Sequence, residues 1–97
     1  MAEIRWSHEA EQWLREIYEY ISSDNLTAAE KVVSGIYEKA QLLSDFPELG
    51  YKYREEPEGE VRILLYGHYR VAYIITDTSI DILGVFHGAL EIERYLT

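Results

Sequence analysis

The chain changes its hydrophobic period halfway along, and that change restricts it to a mixed fold. Up to Leu43 the apolar residues recur every three or four positions. Ala10, Trp13, Leu14, Ile17, Tyr18 and Ile21 form one stripe; Ala29, Val32, Val33, Ile36, Ala40 and Leu43 form a second. Such spacing sets each group on one face of a helix. Glu9 and Glu11 fall in the first turn of the first helix, at the positive end of its dipole. Ser22-Ser23-Asp24-Asn25 stops that helix, and Thr27-Ala28-Ala29-Glu30 has the form of a capping box for the next. Gly35 costs the second helix about 1 kcal/mol against alanine, which a close approach of the first helix would justify. Pro47 disfavours helical geometry at Phe46 and ends the second helix.

From residue 61 the period shortens. Residues 61–66, 69–76 and 80–87 are β-branched and aromatic runs divided by Gly67-His68 and by Asp77-Thr78-Ser79. They predict two successive hairpins. Ile4-Arg5-Trp6 makes a short opening strand ended by Ser7, residues 55–60 an acidic turn or loop, and residues 89–96 a short last helix. The expected architecture is α+β, in the order β-α-α-β-β-β. A helical hairpin packs on one face of a mainly antiparallel sheet, in a single domain over residues 1–97.

A two-residue turn at Gly67-His68 sets Tyr66 opposite Tyr69, Leu64 opposite Val71 and Arg62 opposite Tyr73. One face then carries Arg62, Leu64, Tyr66, Tyr69, Val71, Tyr73 and Ile75. The other carries Val61, Ile63, Leu65, Arg70, Ala72 and Ile74. Both faces are mainly apolar, and a helical pair roofs only one. An uncovered second face of several hundred Å² would suit a partner protein, a second copy in a homodimer, or the chain's own tail.

Composition narrows the chemistry. There is no cysteine, which excludes disulfides, thiolate metal sites and a thiol nucleophile. His8, His68 and His87 lack ligand spacing, so neither a metal nor a cofactor is expected. No apolar run has membrane-spanning length and no secretory leader opens the chain, so a cytoplasmic protein is expected. Eighteen acids against nine bases give a net charge of −9, a field that repels phosphate backbones; no direct nucleic-acid binding is expected.

The order of elements carries a local pattern: Phe46-Pro47-Glu48-Leu49-Gly50, Val61-Arg62-Ile63-Leu64, Tyr69-Arg70-Val71-Ala72-Tyr73 and Val85-Phe86-His87-Gly88. Over nearly the whole chain this resembles the RelE/ParE toxin superfamily of type II toxin–antitoxin (plasmid stabilisation) systems. Ile4-Arg5-Trp6-Ser7 and the first helical stripe look like its ParE branch. The resemblance implies a toxin wrapped by a cognate antitoxin on apolar grooves, here Val61, Ile63, Leu65, Ala72 and Ile74. It also implies one of two activities: cleavage of messenger RNA on the ribosome by RelE-type members, or inhibition of DNA gyrase by ParE-type members. Of the RelE-type residues, the strand arginine matches Arg70 and the late tyrosine Tyr95. The lysine positions fall on Val61 and Ile63, and the second arginine position on Ala89. Cations that would steady a charged phosphorane are thus largely missing.

The leading expectation is therefore a ParE-like toxin that docks on DNA gyrase. The alternatives are a ribosome-dependent endoribonuclease using Arg70, His87 and Tyr95, and a degenerate member that only binds antitoxin. Beside each functional reading stands a structural one. Arg70 is a retained cation or the partner of an acid such as Asp81. His87 is a general acid–base or a strand-end histidine. Lys52 and Arg54 among tyrosines read as a strand edge ahead of a single-stranded RNA strip. Trp6 and Trp13 read as core anchors, and Glu9, Glu11, Glu16 and Glu19 as a solvated helix surface.

Overall fold

Two short polar side chains start the two helices of the structure, a computed structural model that describes residues 2–88. The Ser7 hydroxyl accepts the Ala10 N–H at 3.0 Å and opens α1 (His8–Ser22). The Asn25 amide oxygen accepts the Ala28 N–H at 3.0 Å and opens α2 (Leu26–Gln41). The second start lies two residues before the expected capping box. Asn25 already satisfies one free N–H of the first turn, which leaves Thr27 inside the helix. A single 3₁₀ turn, Leu42–Ser44, closes α2 ahead of Pro47.

The strands are β1 (Glu3–Trp6), β2 (Tyr51–Glu56), β3 (Gly59–Tyr66), β4 (Tyr69–Ile75) and β5 (Ser79–His87). They form one sheet in the order β1-β5-β4-β3-β2, with β1 parallel to β5 and all other pairs antiparallel. The expected α+β layout holds, with one addition. Residues 51–56 form an edge strand, and the acidic segment shrinks to a tight turn at Pro57-Glu58. The β3–β4 register agrees with the sequence pairing: Tyr66 faces Tyr69, Leu64 faces Val71 and Arg62 faces Tyr73. Gly67 takes φ of 57°, a left-handed conformation that suits glycine in so tight a turn.

Both helices pack on the face of β3 and β4 that carries Leu64, Val71 and Tyr73. Ala10, Ile36, Ala40 and Leu43 meet those residues and Ile80, Ile82 and Val85 of β5 in one buried cluster. Gly35 has a different cause from the expected one. A Cβ there would coincide with the Tyr66 hydroxyl, so it is the sheet, and not α1, that needs the space. The short β1 pairs with β5 only as far as Ile82. Beyond that point Trp13 of α1 meets Phe86 edge to face at 4.9 Å and packs against both buried clusters. Trp6 stacks on Tyr37 at 5.7 Å. The expected last helix at 89–96 lies outside the described residues.

Candidate functional site

The β3–β4 turn and the end of β5 come together at one end of the sheet. Gly67 lets the chain reverse, and the Gly88 N–H donates to the His68 carbonyl at 2.6 Å, tying the turn to the last strand. The resulting cavity, of about 360 Å³, is lined by Leu65, His68, Tyr69, Arg70, His87 and the flanking glycines. Arg70 is half-buried and donates to the Gly88 carbonyl at 3.2 Å. His68 stacks beside His87 with ring centres 6.3 Å apart, and Tyr69 meets His87 edge-on at 5.6 Å. Burial raises the Tyr69 phenol above its ordinary range, so it stays protonated at neutral pH. From the helical layer, the Lys39 ammonium donates to the Leu65 carbonyl at 2.7 Å.

This end of the sheet gathers two of the sequence-predicted residues, but from opposite sides. Arg70 pairs with Leu65 and Phe86, which belong to the second face. His87 pairs with Tyr69, on the helix-covered face, and also borders the groove that α1 makes with Tyr69 and Val85. Side chains alternate across a strand, so the guanidinium and the imidazole leave the sheet on different faces. Each is able to contact an anion or a partner, and both border the turn-end cavity. Tyr95 and Ala89 lie outside the described residues. The suggested Arg70–Asp81 pair does not form; Asp81 takes Arg5 instead, at 3.0 Å. Lys52 pairs with Glu55 and Glu60, and Arg54 with Glu56, so this edge is a charge-paired strand. Sequence reading did not single out Lys39, and it took His68 only as a turn residue without ligand spacing. Their only signals, a lysine in a last helical turn and a histidine in a tight turn, are too common to single out.

The second face departs from expectation. Val61, Ile63, Ala72 and Ile74 form a buried cluster with Phe86, against which Trp13, Tyr53 and Leu83 pack. Val61 is 2% exposed and Ile63 0%, whereas Leu65 is 52% exposed. The face is apolar, as the pattern required, but it is not an open surface. Its side chains are covered, one of the outcomes the pattern left open beside an outside partner. Among the described residues no group of three His, Asp or Glu side chains is placed to hold a metal ion. No described helix is long and apolar enough to cross a membrane.

Residues 4–91 match the family described as the ParE toxin of the type II toxin–antitoxin system parDE. Solved structures that share the fold include the following three. A chain of the chromosomal ParDE toxin–antitoxin system from P. aeruginosa is 24% identical, with a TM-score of 0.74, covering 90% of this chain and 96% of its own. A chain of the toxin–antitoxin complex RelBE2 from Mycobacterium tuberculosis is 27% identical, with a TM-score of 0.64, covering 89% and 96%. The YoeB dimer from Staphylococcus aureus is 22% identical, with a TM-score of 0.54, covering 89% and 97%. No curated protein matches the chain.

Proposed function

The chain belongs to the family of ParE toxins of type II toxin–antitoxin systems, and from that premise we propose that it acts by docking on DNA gyrase and is neutralised by a cognate antitoxin. One observation carries the choice of docking over RNA cleavage. The two positions where RelE-type relatives would place lysines are Val61 and Ile63, 2% and 0% exposed in an apolar cluster. No cation can be held there without a large desolvation cost, so a charged phosphorane would lack its usual support. The −9 net charge works against holding RNA as well. Purified protein should inhibit gyrase supercoiling at micromolar concentration. Full supercoiling at a micromolar excess of the protein would sink the gyrase assignment.

The antitoxin surface proposed from the strand pattern comprises Val61, Ile63, Leu65, Ala72 and Ile74. Because four of these are already out of water, an antitoxin segment would enter at exposed Leu65 and replace existing packing. The toxin–antitoxin complexes among the structural neighbours support such a partner. A second reading, a ribosome-dependent endoribonuclease, is favoured by Arg70 at the strand-arginine position and by the 27% identity to a RelBE2 chain. It would use Arg70, His87 and Tyr95. Codon-dependent cleavage of messenger RNA in a reconstituted translating system would establish it in place of the docking model.

A further inference from the structure

The loop between α2 and β2 is held firmly at its backbone while its apolar side chains face water. The Tyr73 hydroxyl donates to the Pro47 carbonyl at 2.7 Å and accepts the Gly50 N–H at 3.0 Å. The Arg62 guanidinium donates to the Gly50 carbonyl at 2.7 Å and to the Glu48 carbonyl at 3.3 Å. Gly50 itself is buried, and a Cβ there would press on the Ile63 carbonyl at 2.5 Å. Yet Phe46 and Leu49 are 60% and 47% exposed. Leu42 lies one turn before Phe46, whose N–H donates to the Leu42 carbonyl at 2.9 Å, and is similarly exposed, as is Tyr51. Phe46 and Leu49 line a shallow cavity with Pro47, Glu48 and Ile75.

A single exposed apolar side chain needs no explanation, but a group of four within ten residues does. Flexibility does not explain this group, because its backbone is anchored from the sheet. Anchoring also removes most of the ordering cost that binding would otherwise incur.

Charge selects the occupant. Glu38, Asp45 and Glu48 are exposed around the patch and make no ion pair among the described residues. The cations beside it, Lys52 and Arg62, are engaged by Glu55 and Glu60. A second copy docking about a two-fold axis would set acids against acids in a chain of charge −9. The geometry points to a protein-docking surface, made by Leu42, Phe46, Leu49 and Tyr51, for a partner segment that is apolar at its centre and basic at its rim. Tyr73 and Arg62 anchor this loop on the helix-covered face, at the opposite end of the strands from Arg70. The surface is thus separate from the turn-end cavity and can be occupied alongside it, whereas at Tyr51, which pairs with Ile63, it adjoins the Val61–Ile63 face.

The test is a titration of isotope-labelled protein with an amphipathic Leu/Lys peptide of about 18 residues, five helical turns, and with its Leu/Glu counterpart. The Lys peptide should move the amide signals of residues 42–51, and the Glu peptide should not. Phe46→Ser and Leu49→Ser should each weaken the Lys peptide about tenfold, as loss of a central apolar anchor does. The double variant Asp45→Lys/Glu48→Lys should weaken it comparably, while Glu16→Lys/Glu19→Lys on α1 leaves it within about twofold, since exposed charges far from a contact add little. Unchanged thermal midpoints confirm that these surface variants are folded. Absence of binding, equal response to the two peptides, or signals that move elsewhere would overturn the assignment. So would a concentration-dependent dimer abolished by Phe46→Ser, which would assign the patch to a second copy.

Discussion

The two faces of the β3–β4 ladder bury their side chains to a similar degree by different means. On the helix-covered face, Leu64 and Val71 meet α1 and α2, while Tyr73 and Arg62 extend polar groups that fix the Pro47–Gly50 backbone. On the other face, Val61, Ile63, Ala72, Ile74 and Phe86 make a cluster with no hydrogen-bonding side chain among them. Directional bonds specify one arrangement, whereas apolar contacts are non-directional and tolerate exchange of one cover for another. The first face is therefore suited to holding a loop in place, and the second to being repacked by a partner.

The largest test of that contrast places a charge or a cavity on the second face. Ile63→Lys restores a cation at a position where RelE-type relatives carry one, but in an apolar cluster. It should cost on the order of 4 kcal/mol in urea unfolding, since an unpaired charge must be buried or the strand must move. Ile63→Ala should cost about 2–4 kcal/mol, in line with Ile36→Ala on the helical side, if the two clusters are packed equally well. A cost for Ile63→Ala well under that of Ile36→Ala would show that the second face is the looser and more replaceable layer. If Ile63→Lys were accommodated without loss of stability, the case against RNA chemistry at this face would fail.

Tyr73→Phe probes the directional side of the comparison with little change of shape. Removing the hydroxyl leaves the Gly50 N–H and the Pro47 carbonyl without their partner, at a cost of about 1–3 kcal/mol. Amide exchange at Gly50 should accelerate with it, whereas Val61 and Ile63 amides should follow global unfolding only. Burial raises the Tyr73 phenol above its ordinary range, so the wild-type clamp is present at neutral pH.

The same contrast explains which parts of the molecule the sequence revealed. The β3–β4 register was legible because Gly67-His68 fixes the turn and alternation then assigns every side chain. Strand β2 was legible only in part: Lys52 and Arg54 among tyrosines read as a strand edge, but Tyr51–Glu56 has no branched apolar run to give it a place in the element order. Asn25 and Thr27 both carry N-cap chemistry two residues apart, and only the observed hydrogen bond decides between them. Arg70 was found by family pattern and His87 by its place at a strand end, but their separation onto two faces depends on β5. Its pairing with β4 shifts register between Ala72 and Tyr73, through a bulge at Leu83 that sequence did not disclose. Burial of Val61 and Ile63 was hardest of all to foresee, since strand periodicity identifies an apolar face without saying what lies on it.

The smallest expected effect separates the faces by their ion pairs. A hydrogen bond from Arg62 holds the Glu60 carboxyl below its ordinary range on the helix-covered side, and one from Arg5 does the same for Asp81 beside Ile74 on the other. Both carboxyls bind protons less readily folded than unfolded. Their contribution is therefore complete above the ordinary carboxylate range and is lost as pH falls through it toward the lowered folded values. The two pairs differ in what else the cation does. Arg62, 15% exposed, also holds the Gly50 and Glu48 carbonyls, whereas Arg5 is 58% exposed and among the described residues bonds to Asp81 alone, which keeps a second bond from Ser79. Arg62→Gln should then lower stability by about 1–2 kcal/mol at neutral pH and flatten the acid limb of the stability profile. Arg5→Gln should leave the neutral value nearly unchanged, because an exposed pair is screened by solvent and salt. Equal losses for the two would mean that the β1–β5 edge, and with it the second face, is held by directional bonds as the first is, and the proposed ease of repacking by an antitoxin would go with that result.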